Sequence, residues 1–350
     1  MTETIEPTRE PLTRIWARRA ITWPLYVLLF VVVWSGLPAW LLLAFTIDLI
    51  TGRPQKRPLT RTVLLFAIYF ACELVGVFAA GAVWLRTLAS SPAERIAKNA
   101  AIQRAWTRVL FGGLRFAFGM SLVVEGADAA APAPLLLFVR HSSTADTLLA
   151  SAVVANPHGT VLRYVLKREL LWDPCLDLVG RRLPNAFVDR SGDDREAQLA
   201  SVGALTRDLD ARSGVLIYPE GTRFSEKKRA RAIERLEADA SPELVAIAKT
   251  FSHVLPPRLG GPVLLLERMR GTDVVFLDHY GFEGAASFGE LVRGALVFGR
   301  IDVRLRRVRA SDVPTEHVER WLFEAWRETD RWVAARAAEH EARRASERRG

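Results

Sequence analysis

Residues 135–149 contain the side-chain pair with the clearest capacity for acid–base chemistry. They read LLLFVRHSSTADTLL, so an apolar run leads to His141, and Asp146 follows five positions later. On one helix, side chains five positions apart point about 140° away from each other. The pair can therefore meet only if His141 lies in a turn and Asp146 near a helix start. There the carboxylate would orient the imidazole for proton transfer. A loop histidine beside a helix-capping aspartate remains the alternative.

A second candidate site lies in residues 214–226, GVLIYPEGTRFSE, which have the pattern of a strand, a turn and a helix. Gly221 permits close approach to the backbone, and Arg223 can form charge-assisted hydrogen bonds to a phosphate at the turn. Arg190 ends another predicted strand and delivers a second arginine. The alternative is an ordinary strand-to-helix turn with solvated arginines.

A sheet is needed to position these residues, and the patterning predicts one. Short apolar runs alternate with helical patterns, which is typical of α/β proteins. Strands are predicted at 121–125, 135–140, 161–166, 186–189, 215–218, 274–277 and 295–308. Helices are predicted at 146–155, 169–179, 194–210, 225–237, 242–251, 288–293 and 316–338.

Two apolar runs precede this region. Residues 21–47 contain no charged side chain, and residues 63–85 contain only Glu73, so each is long enough to cross a hydrocarbon core of about 30 Å. We predict a membrane helical hairpin at 21–90, with Glu73 facing the other helix. A break at residues 35–38 would instead give a segment that enters the membrane and returns. Buried soluble helices and a cleaved signal peptide are further alternatives.

The rest of the predicted organisation follows from charge. Residues 1–20 form a basic N-terminal tail, and residues 91–120 read as an amphipathic helix lying in the membrane interface. A helix packed on the soluble domain is the alternative for 91–120. Residues 121–332 form the α/β domain, and residues 333–350 form a charged, frayed tail.

Composition restricts the class of protein. The net charge of +9 suits nucleic acid, an anionic membrane or phosphorylated substrates. The two cysteines lie about a hundred residues apart with no C-x-x-C pair, which argues against a disulfide scaffold and a cysteine zinc site. No nucleic-acid-binding motif accompanies the charge, so nucleic acid is not an expected partner.

Taken together, the motifs resemble those of the glycerolipid acyltransferase family, near the 1-acylglycerol-3-phosphate and lysocardiolipin acyltransferase branch. That family carries H-x-x-x-x-D, a G-x-x-F-x-x-R-like block, P-E-G-T-R and a Pro-containing apolar block. Here they appear in order as 141–146, 187–190, 219–223 and 254–257. Many relatives have asparagine before the histidine, whereas this chain has Arg140.

The resemblance implies a fold and a role for each matching residue. The fold would be a mixed sheet flanked by helices, behind the N-terminal hairpin. His141 would be the general base and Asp146 would orient it. The remaining roles would be glycerol phosphate binding by Glu220, Gly221, Thr222, Arg223 and Arg190, and an acyl pocket lined by Val254, Leu255 and Pro256.

The implied activity is transfer of a fatty acyl group from acyl-CoA or acyl carrier protein to 1-acylglycerol 3-phosphate. Another lysophospholipid acceptor, such as lysocardiolipin or lysophosphatidylglycerol, is the first alternative. A non-catalytic lipid-binding membrane protein is the second. A serine hydrolase is disfavoured because the chain has no G-x-S-x-G. We expect no metal or bound cofactor, anionic membrane lipids as partners, and a catalytic domain on the cytoplasmic side of a membrane.

Overall fold

The computed structural model describes residues 10–188, 195–285 and 288–347. Its centre is a seven-stranded sheet with the order β1-β7-β6-β2-β5-β3-β4. Neighbouring strands are parallel except for the antiparallel pair β6–β7. The strands are β1 Ser121–Glu125, β2 Leu135–Val139, β3 Val161–Lys167, β4 Ala186–Val188, β5 Ser213–Ile217, β6 Asp273–Tyr280 and β7 Arg300–Val308.

The middle of the sheet explains why these segments became strands. Every residue of β2 and β5 is buried, as are six of the eight residues of β6. Parallel strands covered on both faces read as continuous apolar runs, which is the pattern that predicted them. The predicted mixed α/β class is confirmed.

Helices cover both faces of the sheet. One face packs on α4 through a core that includes Phe111, Leu114 and Phe118. The other packs on α7, α9, α10 and α12 through a core that includes Phe251 and Trp326. The α-helices are α1 Leu12–Ser35, α2 Leu37–Ile50, α3 Pro58–Arg86, α4 Pro92–Phe118, α5 Asn156–His158, α6 Pro174–Leu178, α7 Arg195–Ala204, α8 Glu226–Asp239, α9 Pro242–Lys249, α10 Gly260–Arg268, α11 Phe288–Val292 and α12 Val318–Glu347.

Several elements differ from the prediction. The predicted helix 146–155 is a 3-10 turn, Ala145–Leu148, followed by a π-helical turn, Ser151–Ala155. Helix α10 was not predicted, because its start, Gly-Gly-Pro, reads as a turn. Helix α12 continues to Glu347, so the frayed tail predicted from 333 is wrong over its described part. His340 is buried there, with Nε2 2.5 Å from Oδ2 of Asp302.

The predicted basic tail at 1–20 is also wrong over its described part, because α1 begins at Leu12. Arg18 is buried, and its Nη2 donates to Asp177 at 2.6 Å. Arg19 Nε donates to the other oxygen of Asp177 at 2.5 Å. These ion pairs attach the start of α1 to α6 of the α/β domain.

Helix α3 lies along α4 on the α/β domain. Near one end of α3, Arg61 Nη1 donates to the carbonyl of Ala117 at 2.7 Å. In its middle, Glu73 accepts from Trp106 Nε1 at 2.7 Å and from the Cys175 amide at 3.2 Å. The prediction that Glu73 faces the other apolar helix is therefore wrong. The apolar face of α4 packs on the sheet, which is the alternative given for 91–120, and a position in the membrane interface stays a prediction.

Helices α1 and α3 are both long and apolar enough to cross a membrane. The chain bends at Gly36, where α1 ends and α2 begins, within the predicted break at 35–38. Much of the α1–α2 surface is apolar and exposed. Its exposed large side chains are Leu12, Trp16, Ile21, Leu25, Val27, Leu28, Val31, Val32, Trp34, Trp40, Leu42, Leu43, Ile47, Leu49 and Ile50.

Candidate functional site

The sheet delivers His141 and Asp146 to the same point. His141 lies two residues beyond the end of β2, and Asp146 lies in the 3-10 turn that follows. Nδ1 of His141 is 2.9 Å from Oδ1 of Asp146. The other carboxylate oxygen accepts from the amides of Ser142 at 2.6 Å and Ser143 at 2.7 Å. The turn thus brings the pair together, as a regular helix could not.

The electrostatics of this pair favour an ionised aspartate. Asp146 is fully buried, which raises the pKa of its carboxyl. The hydrogen bonds that the carboxylate accepts from His141 and from the Ser143 amide act in the opposite direction, and the pKa is lowered overall. An ionised Asp146 accepts a hydrogen bond from Nδ1–H of His141, which leaves the Nε2 lone pair of His141 available. The arrangement can orient a general base.

Glu220 comes to the site, but in a different way from that expected of a phosphate ligand. One of its carboxylate oxygens accepts from the His141 amide at 2.9 Å, and the other accepts from the Leu255 amide at 3.0 Å. Its side chain is buried, and burial raises its pKa to about 7 although Arg140 acts to lower it. Glu220 therefore connects the turn of His141 to the loop at 252–257.

The rest of the P-E-G-T-R turn also holds His141. The Phe224 amide donates to the carbonyl of His141 at 3.0 Å, and Arg223 Nη1 donates to Thr144 Oγ1 at 2.9 Å. Gly221 has φ +68°, where a side chain would be strained, and an added Cβ would lie 2.5 Å from Nε of Arg258. The turn therefore needs glycine for both its conformation and its close packing.

Two lysines join Arg223 at this end of the sheet. Lys228 donates to Thr222 Oγ1 at 3.2 Å and to the carbonyl of Arg223 at 3.0 Å. Burial lowers the pKa of Lys228, and the positive charges of Arg223 and Lys167 lower it further. Lys228 was not predicted as a site residue. Its position in the first turn of the helix after P-E-G-T-R was the available signal. Arg190, the second predicted phosphate contact, lies outside the described residues.

The predicted acyl-pocket residues lie in the core next to the site. Val254, Leu255 and Pro256 are all buried. The Leu255 carbonyl accepts from Trp326 Nε1 at 3.1 Å. Asp330 on α12 accepts from three successive amides of the preceding residues, 252–254. In the structure this loop supports Glu220, and its apolar side chains pack in the protein.

Tyr218 lies next to the His141–Asp146 pair. It was not predicted as a site residue. Its ring centroid lies 4.6 Å from that of His141. Its hydroxyl is buried and has no hydrogen-bond partner among the described residues. Burial and the charge of Asp146 raise the pKa of this phenol well above its usual value, so its hydroxyl stays protonated. Its place at the end of β5, directly before P-E-G-T-R, was the available signal.

Within the described parts of the chain, no group of three or more His, Cys, Asp or Glu side chains is placed to hold a metal ion. The site consists of a His–Asp pair, a buried glutamate and a set of cations at the carboxyl ends of β2, β3 and β5. Ligand sites in open α/β sheets lie at this edge.

The sequence model of the Acyltransferase family matches residues 121–257, which include His141, Asp146 and the whole P-E-G-T-R turn. Residues 121–257 form an acyltransferase domain. The predicted membership of the glycerolipid acyltransferase family is thereby confirmed for this domain. No curated protein matches the chain.

A solved structure is similar in fold to most of this chain. It is the crystal structure of the 1-acyl-sn-glycerophosphate (LPA) acyltransferase PlsC from Thermotoga maritima. The two chains are 17% identical, and the match covers 79% of this chain and 96% of the other, with a TM-score of 0.54. At that identity the likeness shows only that the two chains share a fold.

Proposed function

We propose that this protein is a membrane-associated acyltransferase that transfers a fatty acyl group from a thioester donor to the free hydroxyl of 1-acylglycerol 3-phosphate, giving phosphatidic acid. The observation that carries the proposal is the His141–Asp146 pair, 2.9 Å apart, whose turn accepts a hydrogen bond from Arg223 at Thr144. A base beside an arginine suits an acceptor that carries both a hydroxyl and a phosphate.

In the proposed reaction, Nε2 of His141 accepts the proton of the acceptor hydroxyl. The oxygen attacks the thioester carbonyl, a C–O bond forms, and the C–S bond breaks. The proton then passes from His141 to the leaving thiolate. Asp146 stabilises the imidazolium between these steps. No covalent acyl-enzyme and no bound cofactor take part, because the thioester supplies the activated carbonyl.

Phosphate recognition would use Arg223, with Lys167 and Lys228 adding positive charge and Arg190 as a further contact. The Arg223 guanidinium can bind two phosphate oxygens at once. Gly221 and Thr222 would form the turn that brings these groups to the acceptor. The acyl chain would lie against the apolar loop at 254–256. Lysophosphatidylglycerol or lysocardiolipin is the alternative acceptor, because both also present a phosphate near a free hydroxyl.

Membrane association would come from the exposed apolar surface of α1–α2. Because α3 packs on α4 along its length, we propose that the hairpin lies against the acyltransferase domain with this surface in the lipid. Anionic lipids would be attracted by the basic side chains nearby. The domain would face the cytoplasm, where thioester donors are made.

The test is acyl transfer from labelled oleoyl-CoA, or from oleoyl acyl carrier protein, by the detergent-purified full chain. Acceptors are glycerol 3-phosphate, lysophosphatidic acid, lysophosphatidylglycerol, lysocardiolipin and a non-phosphorylated lyso-lipid. We expect lysophosphatidic acid to be preferred. Preference for another lysophospholipid would move the protein to lipid remodelling, and no transfer to any acceptor would favour a lipid-binding role.

Two variants test the assigned roles in the same assay. His141→Ala should lower kcat by at least about a hundredfold, because general-base catalysis contributes about that much. Arg223→Ala should mainly raise KM for the phosphorylated acceptor. Activity retained in His141→Ala would refute the mechanism, and an unchanged KM in Arg223→Ala would remove the phosphate role of that arginine.

A further inference from the structure

Arg140 is a buried cation directly before His141, and only 1% of its surface is exposed. Its Nη1 donates to the carbonyl of His279 at 2.7 Å and also to the carboxylate of Glu283. Its Nη2 donates to the carbonyl of His253 at 3.0 Å. One guanidinium thus connects the end of β6, the turn after β6 and the loop at 252–257 to the residue before His141.

The backbone of Arg140 is held by the same strand. Its amide donates to the carbonyl of Leu277 at 3.2 Å. Its carbonyl lies 2.9 Å from Nε2 of His279, which is also 3.5 Å from Oδ2 of Asp146. Burial lowers the pKa of His279, and the charge of Arg140 lowers it further. A neutral His279 then donates a hydrogen bond from Nε2–H to the Arg140 carbonyl.

Three carboxylates face the Arg140 guanidinium from different elements. Glu283 lies in the turn after β6, Glu220 in the turn after β5, and Asp146 in the 3-10 turn after β2. Burial lowers the pKa of Arg140, but these three charges outweigh it and raise the pKa overall. In return, the charge of Arg140 opposes the rise that burial causes in the pKa of Glu220.

The other titratable groups of the packed elements are directed elsewhere. Nδ1 of His253 lies 2.8 Å from Oγ of Ser252, and the carboxylate of Asp330 accepts from the backbone of the same loop. Arg140 is therefore the cation whose charge favours the ionised forms of both Asp146 and Glu220.

We propose that Arg140 is a positioning residue of the acyl transfer: its charge favours the ionised forms of Asp146 and Glu220, and its hydrogen bonds fix the loop at 252–257 to the turn of His141. This role rests on the proposed function, because it acts through His141. Without the cation, both buried carboxyls would take up a proton at higher pH. A protonated Asp146 would no longer stabilise the imidazolium, and a protonated Glu220 would accept fewer backbone hydrogen bonds.

The test is the pH dependence of kcat/KM for acyl transfer between about pH 5.5 and about pH 9. In Arg140→Gln we expect the acid limb to move to higher pH by about one unit or more, because a nearby opposite charge lowers a carboxyl pKa by about that amount. Arg163→Gln is the matched control. Arg163 is also buried and donates to backbone carbonyls, those of Leu205 at 3.0 Å and Asp208 at 2.8 Å, but it lies outside this network. Its acid limb should stay at the wild-type position.

Two further variants separate charge from contact. Glu283→Gln breaks the same ion pair but leaves the cation in place, so its acid limb should stay or move to lower pH. Arg140→Lys keeps the charge and loses the forked hydrogen bonds, so its kcat should fall while its acid limb stays in place. These two variants also decide the matter if Arg140→Gln does not fold.

Three results would overturn the role of Arg140. They are an unmoved acid limb in Arg140→Gln, an equal upward shift in Arg163→Gln, and an upward shift in Arg140→Lys or Glu283→Gln. Each is distinguishable from failure of the proposed function, which would appear as full activity in His141→Ala. Inactive His141→Ala together with an unmoved limb in Arg140→Gln would remove the Arg140 role alone.

Discussion

At the scale of single residues, both carboxylates of the site accept hydrogen bonds from other groups of the protein. Asp146 binds His141 and two backbone amides, and Glu220 binds two amides from separate segments. Buried carboxylates are costly unless they are bonded in this way. The two acids therefore fix the geometry of the site, and in the proposed function His141 Nε2 and the nearby cations contact the substrates.

The raised pKa of Glu220 predicts that the free energy of unfolding depends on pH. Its pKa is raised from 4.5 to about 7 in the folded protein, so the folded state binds the proton more tightly than the unfolded state. The free energy of unfolding should therefore fall as the pH rises from about 4.5 to about 7, by ~3 kcal/mol in total. Glu220→Gln has no such proton, so the variant should gain stability relative to the wild type over that range.

The measurement is thermal unfolding of both proteins in detergent across this pH range. Glu234→Gln, on the exposed surface of α8, is the control and should follow the wild type at every pH. A stability difference between Glu220→Gln and wild type that does not change with pH would contradict the raised pKa.

At the scale of elements, the site depends on a helix distant in sequence. Helix α12 supplies Asp330, which binds three successive amides of the loop at 252–257, and Trp326, which donates to the Leu255 carbonyl. That loop in turn gives the Leu255 amide to Glu220 and the His253 carbonyl to Arg140. Helix α12 therefore supports the turn of His141 through the loop at 252–257.

Asp330→Ala tests this connection. Removing one carboxylate leaves three amides without their acceptor, and hydrogen bonds to charged groups contribute about 1.5–3 kcal/mol each, so the variant should lose about 3 kcal/mol or more of stability. Acyl transfer should fall with it. Arg331→Ala, the exposed neighbour on α12, should leave both unchanged. Wild-type melting temperature and activity in Asp330→Ala would show that the loop holds its shape without α12.

At the scale of the whole molecule, the N-terminal helices divide into two functional parts. Helix α3 is part of the acyltransferase packing, because it covers α4 and pairs Glu73 with Trp106. Helices α1 and α2 form the outer part and expose large apolar side chains. An exposed apolar surface of this extent marks an interaction site, and lipid suits its composition.

Deleting residues 1–57 should therefore weaken membrane binding without exposing α4. In sedimentation with vesicles that contain anionic phospholipid, we expect affinity to fall about tenfold or more, since several large apolar side chains contribute about 1.5–3 kcal/mol each. Deleting residues 1–90 should instead cause aggregation, because it also removes α3. Vesicle binding equal to that of the full chain after deletion of 1–57 would place the membrane contact elsewhere.

The strands and the order of the motifs could be predicted from the sequence alone. Strands β2 and β5 were predictable because a strand buried on both faces must be apolar throughout, and His141 and Pro219 follow them directly. The meeting of His141 with Asp146 was predictable as a condition, since five-residue spacing permits it only in a turn. The family resemblance added the roles.

The partners of the buried charges, in contrast, could be identified only in the folded protein. Glu73 was expected to face an apolar helix but pairs with Trp106 and Cys175, and Glu220 was expected at the phosphate but binds two amides. Residues 12–20 read as a tail, yet Arg18 binds Asp177 from α6. These contacts join residues about 30 to 160 positions apart. A local pattern carries no record of them, because burial and its compensation are properties of the packed chain.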